Sequence, residues 1–308
     1  MPRYSGIERK QARWGLIFVA PAMLFFAVFS YYPILNAFAT SFFNKRALSK
    51  APPRFIGLDN YLRLFSLKTA GNELSFYNSL RSTAIFTVGT FVPLLVLSLL
   101  AAALIASLDG KRAKRALQVA YYTPAVLSSV VAATIWMLIF DPRGLANQWL
   151  NGLLGLTGVD HLWLVDRSME QLSTMIIYFW KYIGYFVILF ITGLSSIPPT
   201  IYEAARIDGA GKLQVFGRIT LPLLKPTVVM VSIMSMLQCL KTFSTQYMLY
   251  TNGAPRGPIN VITFNIYVTG IQEQYLGRAS AMSVVLFVVM LFFTWFQFRL
   301  SKADDVEY

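Results

Sequence analysis

Ile197–Pro226 reads IPPTIYEAARIDGAGKLQVFGRITLPLLKP and is the longest well-patterned polar segment in a chain made mostly of apolar runs. Pro198 and Pro199 end the helix before them, because proline lacks an N–H and restricts its predecessor. Thr200 then stands where an N-cap belongs, and Glu203 follows at capping-box spacing. A helix over 201–208 would carry that carboxylate near its positive end. Gly209 supplies a left-handed C-cap. Beyond Ala210 and Gly211 a second short helix carries Leu213, Phe216, Gly217 and Thr220 at helical spacing. Pro222 and Pro226 mark its exit, and Pro226 fits the first turn of the next apolar helix.

The flanks of this segment are apolar. The chain is 56% hydrophobic and 13% charged, where a soluble domain carries about 25% charged residues. The expected fold is therefore all-α and polytopic, with six spans over 14–35, 76–108, 119–140, 172–195, 227–250 and 279–300. Each is long enough for the ~20 residues that a bilayer requires. Ala20-Pro21-Ala22 is faintly like a signal cleavage site, but the apolar run continues past it and reads as an uncleaved span. Tyr31, Tyr32 and Pro33 mark the outer end of that span, and Pro93 predicts a kink in the second.

Three organisational parts follow: a tail over 1–13, a six-helix domain over 14–300 that includes the loop 197–226, and a tail over 301–308. The segment 44–75 is irregular around Pro52-Pro53 and Gly57. A short basic turn over 109–115 holds Lys111, Arg112, Lys114 and Arg115. The loop 141–171 holds Asp141, Asp160, Asp166 and Glu170. Six spans put both termini on one side, and the Lys/Arg excess on that side makes them cytoplasmic, although the basic segment 44–75 opposes this.

The net charge of +13 fits basic cytoplasmic loops, and no aromatic-basic interleaving points to nucleic acid. Cys239 is the single cysteine and His161 the single histidine, so neither a disulfide nor a metal cluster is expected. No GxxxxGK[ST] segment exists, so this chain is not expected to hydrolyse ATP itself.

The pattern Glu203-Ala204-Ala205, Asp208-Gly209-Ala210, Phe216, Ile219, Leu221-Pro222 and Pro226 resembles the EAA signature of membrane subunits of binding-protein-dependent ABC importers. The segments 15–42, 55–61 and 122–128 are similar to sugar-transporting, maltose-type members. Ala254 departs from a Gly-Gly-Pro turn common among them. The resemblance implies a type I importer fold in a bacterial inner membrane. It also implies that Glu203, Ala204, Ala205, Asp208, Gly209 and Ala210 lie on a cytoplasmic coupling helix and its cap. The implied partners are an ATPase subunit dimer that holds ATP and Mg, a second and related membrane subunit, and an extracytoplasmic solute-binding protein. This chain itself would hold no cofactor.

Lys181 and Lys241 fall inside spans, where a charge costs ~2.5–3.5 kcal/mol on insertion scales. Counted from the span ends they stand at one depth. Together with Tyr182, Tyr185, Gln238 and Thr242 they are expected to line a wet pocket. Rings suit the C–H faces of a sugar, and polar groups suit its hydroxyls. Polar helix–helix contacts or snorkelling would also account for these residues. Two lysines without a carboxylate also raise an anionic solute, such as a uronate or polyol phosphate. An ion-driven secondary transporter would need a titratable acid in mid-span, and a membrane enzyme a catalytic cluster; the sequence offers neither.

Overall fold

The structure, a computed structural model, describes residues 6–66, 72, 74–154 and 161–302. Arg3, Lys68, Asp160 and the tail beyond residue 302 lie outside the described residues. The chain divides into two compact units, one formed by 1–65 with 266–285 and the other by 66–265 with 286–308.

In the first unit, α1 (Gly6–Phe26) passes through a π-helical turn (Ala27–Tyr31) into α2 (Tyr32–Thr40). Pro33 therefore does not end the span, which runs from Arg13 to Thr40. The proline ring collides with the carbonyl four residues back, here that of Phe29. The wider π turn accommodates that collision without breaking the rod. None of the described side chains of this span is buried, as suits a helix whose surroundings are apolar.

A two-residue hairpin follows. β1 (Phe43–Asn44) pairs antiparallel with β2 (Arg54–Phe55), and the Phe43 and Phe55 rings meet edge to face at 5.4 Å. The short helix α3 (Asp59–Leu64) then ties back to the chain: Asn60 donates to the carbonyls of Ser41 and Phe43. The segment expected to be irregular thus holds a two-stranded hairpin and a short helix up to residue 64. It also meets the late part of its own unit, where Arg46 and Arg278 flank the ring of Tyr275 at 4.3 and 4.7 Å.

The second unit holds α4 (Phe76–Ser107), α5 (Lys111–Val126), α6 (Ser129–Ile139), α7 (Leu145–Leu154) and α8 (Arg167–Ser195). Then come α9 (Pro199–Ile207), α10 (Lys212–Val215), a π turn (Phe216–Thr220), α11 (Leu221–Leu223), α12 (Lys225–Leu240) and α13 (Ser244–Thr251). Finally α14 (Ile262–Tyr267) leads through a π turn (Val268–Gln272) to α15 (Leu276–Lys302); of these, residues 266–285 belong to the first unit and α15 beyond residue 285 to the second.

α4, α8 and α12 pack around Phe86, Leu94, Phe186, Phe190, Leu224, Val231 and Cys239. The buried face of α4 carries Ser79, Ser82, Thr83, Thr87, Thr90 and Ser98. The hydroxyls of Ser79, Thr83 and Ser98 return to carbonyls one turn back, as Thr83 does to Ser79 at 2.7 Å. Small side chains of this kind let helices approach in a membrane, where no hydrophobic force drives them together. Gly184 on α8 goes further: a Cβ there would overlap the backbone carbonyl of Tyr121 on α5.

Five described helices are long and apolar enough to cross a membrane, and six if α5 and α6 count as one. The expected continuous span 119–140 is in fact these two helices, bent by 100°. Leu127 and Ser128 are extended, and Ser128 accepts from the N–H of Val131 at 3.2 Å, so α6 is capped as a new helix. The basic residues Lys111–Arg115 likewise form the first turn of α5 and not a loop. Glu170, expected in a loop, stands in the first turn of α8. It is 0% exposed, and neither carboxylate oxygen has a partner among the described residues.

Candidate functional site

Two regions carry the chemistry. The first is α9 and its cap. Its N-terminus corrects the sequence expectation: Pro198 is the N-cap, Pro199 opens the helix, and no side chain caps it. Proline at the first position is pre-shaped for the helix and lacks the N–H that a cap would satisfy. Thr200 therefore lies inside the helix, and the capping box with Glu203 does not form. The C-terminus is as expected. Gly209 adopts φ +74°. Its N–H reaches the Arg206 carbonyl at 3.1 Å, and the Ala210 N–H reaches that of Ala205 at 2.9 Å. This pair of bonds is a Schellman motif.

The cap fixes which way the helix faces. Ala205 is buried in the chain's own fold, whereas Glu203, Ala204, Arg206 and Asp208 are exposed. Only one of the two alanines is thus available for a close approach by another backbone. The Thr220 hydroxyl donates to that of Tyr202 at 3.3 Å and holds α9 against the following π turn. Two apolar side chains stand outward among these charges: Ile207 at 86% and Leu213 at 89% exposure. Leu213 fits a helical stripe in the sequence, and nothing in helical spacing alone marks Ile207 as outward-facing. Their signal was an apolar residue flanked by charges, Arg206-Ile207-Asp208 and Lys212-Leu213.

The second region centres on Lys181, at the middle of the 29-residue α8. It is only 5% exposed. Its Nζ donates to Ser129 Oγ at 2.7 Å and lies 5.3 Å from the Tyr182 ring centre. Tyr182 in turn stands 4.5 Å from the ring of Tyr178. Lys241 differs: it is exposed and caps the C-terminus of α12, at the break before α13. The two ammonium groups are therefore not an equivalent pair.

At that same break Thr242 is buried and its hydroxyl donates to Gln246 Oε1 at 3.0 Å, while Thr263 donates to the Thr242 carbonyl. Gln246 Nε2 and Gln238 Oε1 are buried with no partner among the described residues. Tyr185 belongs to a separate cleft of about 290 Å³, with Gln118, Val119, Tyr122, Ile188 and Leu189. So Lys181 joins Tyr182, and Thr242 joins Gln246, but Tyr185 does not share Lys181's contacts. The residues missed are Ser128 and Ser129. A serine pair after an apolar run was their cap signal.

Residues 75–303 match the family described as "Binding-protein-dependent transport system inner membrane component". The chain belongs to this family. It is 31% identical over 295 residues to the arabinooligosaccharides transport system permease protein AraP of Bacillus subtilis (strain 168), covering 94% of this chain and 89% of that protein. It is 30% identical over 292 residues to the probable ABC transporter permease protein YurN of the same organism, covering 94% and 97%. A solved bacterial ABC transporter involved in the import of the acidic polysaccharide alginate superposes with a TM-score of 0.81 at 24% identity, over 98% of this chain and 100% of that one. The fold is accordingly that of a type I importer membrane subunit.

Proposed function

We propose that this permease subunit imports a sugar or oligosaccharide, delivered by an extracytoplasmic binding protein and driven by ATP hydrolysed on a partner ATPase dimer. The relatives named above support the saccharide, and the missing P-loop supports a separate motor. A second, related membrane subunit completes the pathway. ATP and Mg reside on the ATPase, and both termini of this chain face the cytoplasm.

The observation that carries this reading is the outward face of α9 and its cap. Glu203 forms no ion pair among the described residues. Ile207 and Leu213 are exposed beside Arg206, Asp208 and Lys212, where a lipid tail would not lie. Large apolar side chains rimmed by charges mark a protein contact. When the ATPase dimer closes, α9 is drawn with it, and the spans that follow transmit the motion to the pocket around Lys181, Tyr182, Gln238, Thr242 and Gln246. Lys241, at the break after α12, and Tyr185, in its own cleft, are the remaining candidates for solute contact.

The test is co-purification. The tagged wild-type chain, expressed with its transport system, brings down an ABC ATPase subunit. Glu203→Arg and Leu213→Ser each lower that yield roughly tenfold, a loss of about 1.4 kcal/mol. A yield unchanged in both variants would sink the coupling role.

A further inference from the structure

We propose that the solute is an anionic saccharide, and that Lys181 with the N-terminus of α6 binds its carboxylate, sulfate or phosphate group. This rests on the sugar-import reading and names the chemical class of the solute.

Lys181 is buried at mid-helix, about 20 Å from either end of α8 at 1.5 Å per residue. An ammonium has three donors, and its one polar partner among the described residues is the neutral Ser129 hydroxyl at 2.7 Å. Lys181 forms no ion pair among the described residues. A charge held at membrane depth without a counter-charge marks a solute or ion pathway.

Its surroundings sharpen the sign. Ser129 is the first residue of α6, an 11-residue helix. The ammonium therefore sits at the positive end of a helix dipole, where a cation is disfavoured and an anion favoured. The N–H groups of Ser129 and Val130 have no intrahelical acceptor, as in any first turn. Ser128 Oγ takes the N–H of Val131 and leaves those two. A bound anion would offset the lysine charge and the dipole together and accept the remaining donors. Broken spans whose half-helix N-termini meet an anionic solute group are an established physical solution in transporters.

A third, independent feature is Gln246. It stands on α13, which packs on both α6 and α8. The side chain is 0% exposed and its Nε2 has no acceptor among the described residues. A neutral sugar could accept a lysine hydrogen, but it would leave the charge uncompensated.

The experiment uses the complete membrane complex with its ATPase in nanodiscs, without the binding protein, so that only the membrane site is read. Equilibrium dialysis compares a uronate disaccharide, a sulfated disaccharide and a neutral disaccharide of the same size. The wild type should bind at least one charged sugar roughly tenfold more tightly than the neutral one. Lys181→Gln should abolish the difference between charged and neutral sugars, and Lys181→Arg should keep it. ATPase co-purification checks that each variant is folded. Equal affinities in the wild type, or a preference that survives Lys181→Gln, would overturn the anion site and leave sugar import standing. A complex that holds its ATPase but binds none of the three sugars would overturn both.

Discussion

Gly184 shows how much one missing side chain can determine. Its Cα faces the Tyr121 carbonyl so closely that a Cβ overlaps it, and backbone cannot yield as a flexible side chain can. Gly184→Ala should therefore separate α5 from α8 and cost about 1–3 kcal/mol, read as a lower Tm of the detergent-purified complex. A Tm within one degree of wild type would contradict the close approach. Lys181 and Glu170 belong to the same scale. Lysine was visible as a charge within an apolar run. The burial of Glu170 was not, because its sequence neighbours Asp166 and Arg167 read as loop. Only the packing of α8 shows that this carboxylate is enclosed. Glu170 lies at the end of α8 and not in mid-span, so the argument against an ion-driven transporter, that no acid stands in mid-span, is not altered by it. The family match adds to that exclusion.

At the scale of elements, proline had opposite outcomes in similar contexts. Pro33 and Pro222 each follow a π turn and sit in the first two positions of the helix that continues, so neither ends its rod. The break in the third span falls after Pro124, at Leu127 and Ser128, where no proline stands. Apolar periodicity reports burial and is blind to a bend in a run that is apolar on both sides. The Ser128 cap is what makes α6 a helix with its own N-terminus. Ser128→Ala should cost about 1 kcal/mol of stability. If α6 positions the anion, the same change should also weaken charged-sugar binding more than neutral-sugar binding. A uniform effect on both sugars would assign the serine a structural role alone.

For the whole molecule, the coupling surface and the pocket are separate, and their variants should separate too. Leu213 is exposed at 89% and supports no core. Leu213→Ser should leave the Tm of the isolated chain unchanged while it uncouples sugar-stimulated ATP hydrolysis. A drop of several degrees would mean that this side chain serves the fold instead.

The amino-acid order alone determined the class, the family resemblance, five of the six spans to within several residues, and the glycine cap of α9. Each of these is written in local quantities: hydropathy over ~20 residues, fixed motif spacing, and one residue's tolerance of positive φ. Tertiary structure alone decided that the third span is bent by 100°, that Ala205 faces inward while Ile207 and Leu213 face out, and that Lys181 meets a helix N-terminus while Lys241 does not. Those depend on which helix lies beside which, and a pair contact between residues 52 positions apart, such as Lys181 and Ser129, leaves no trace in the periodicity of either segment.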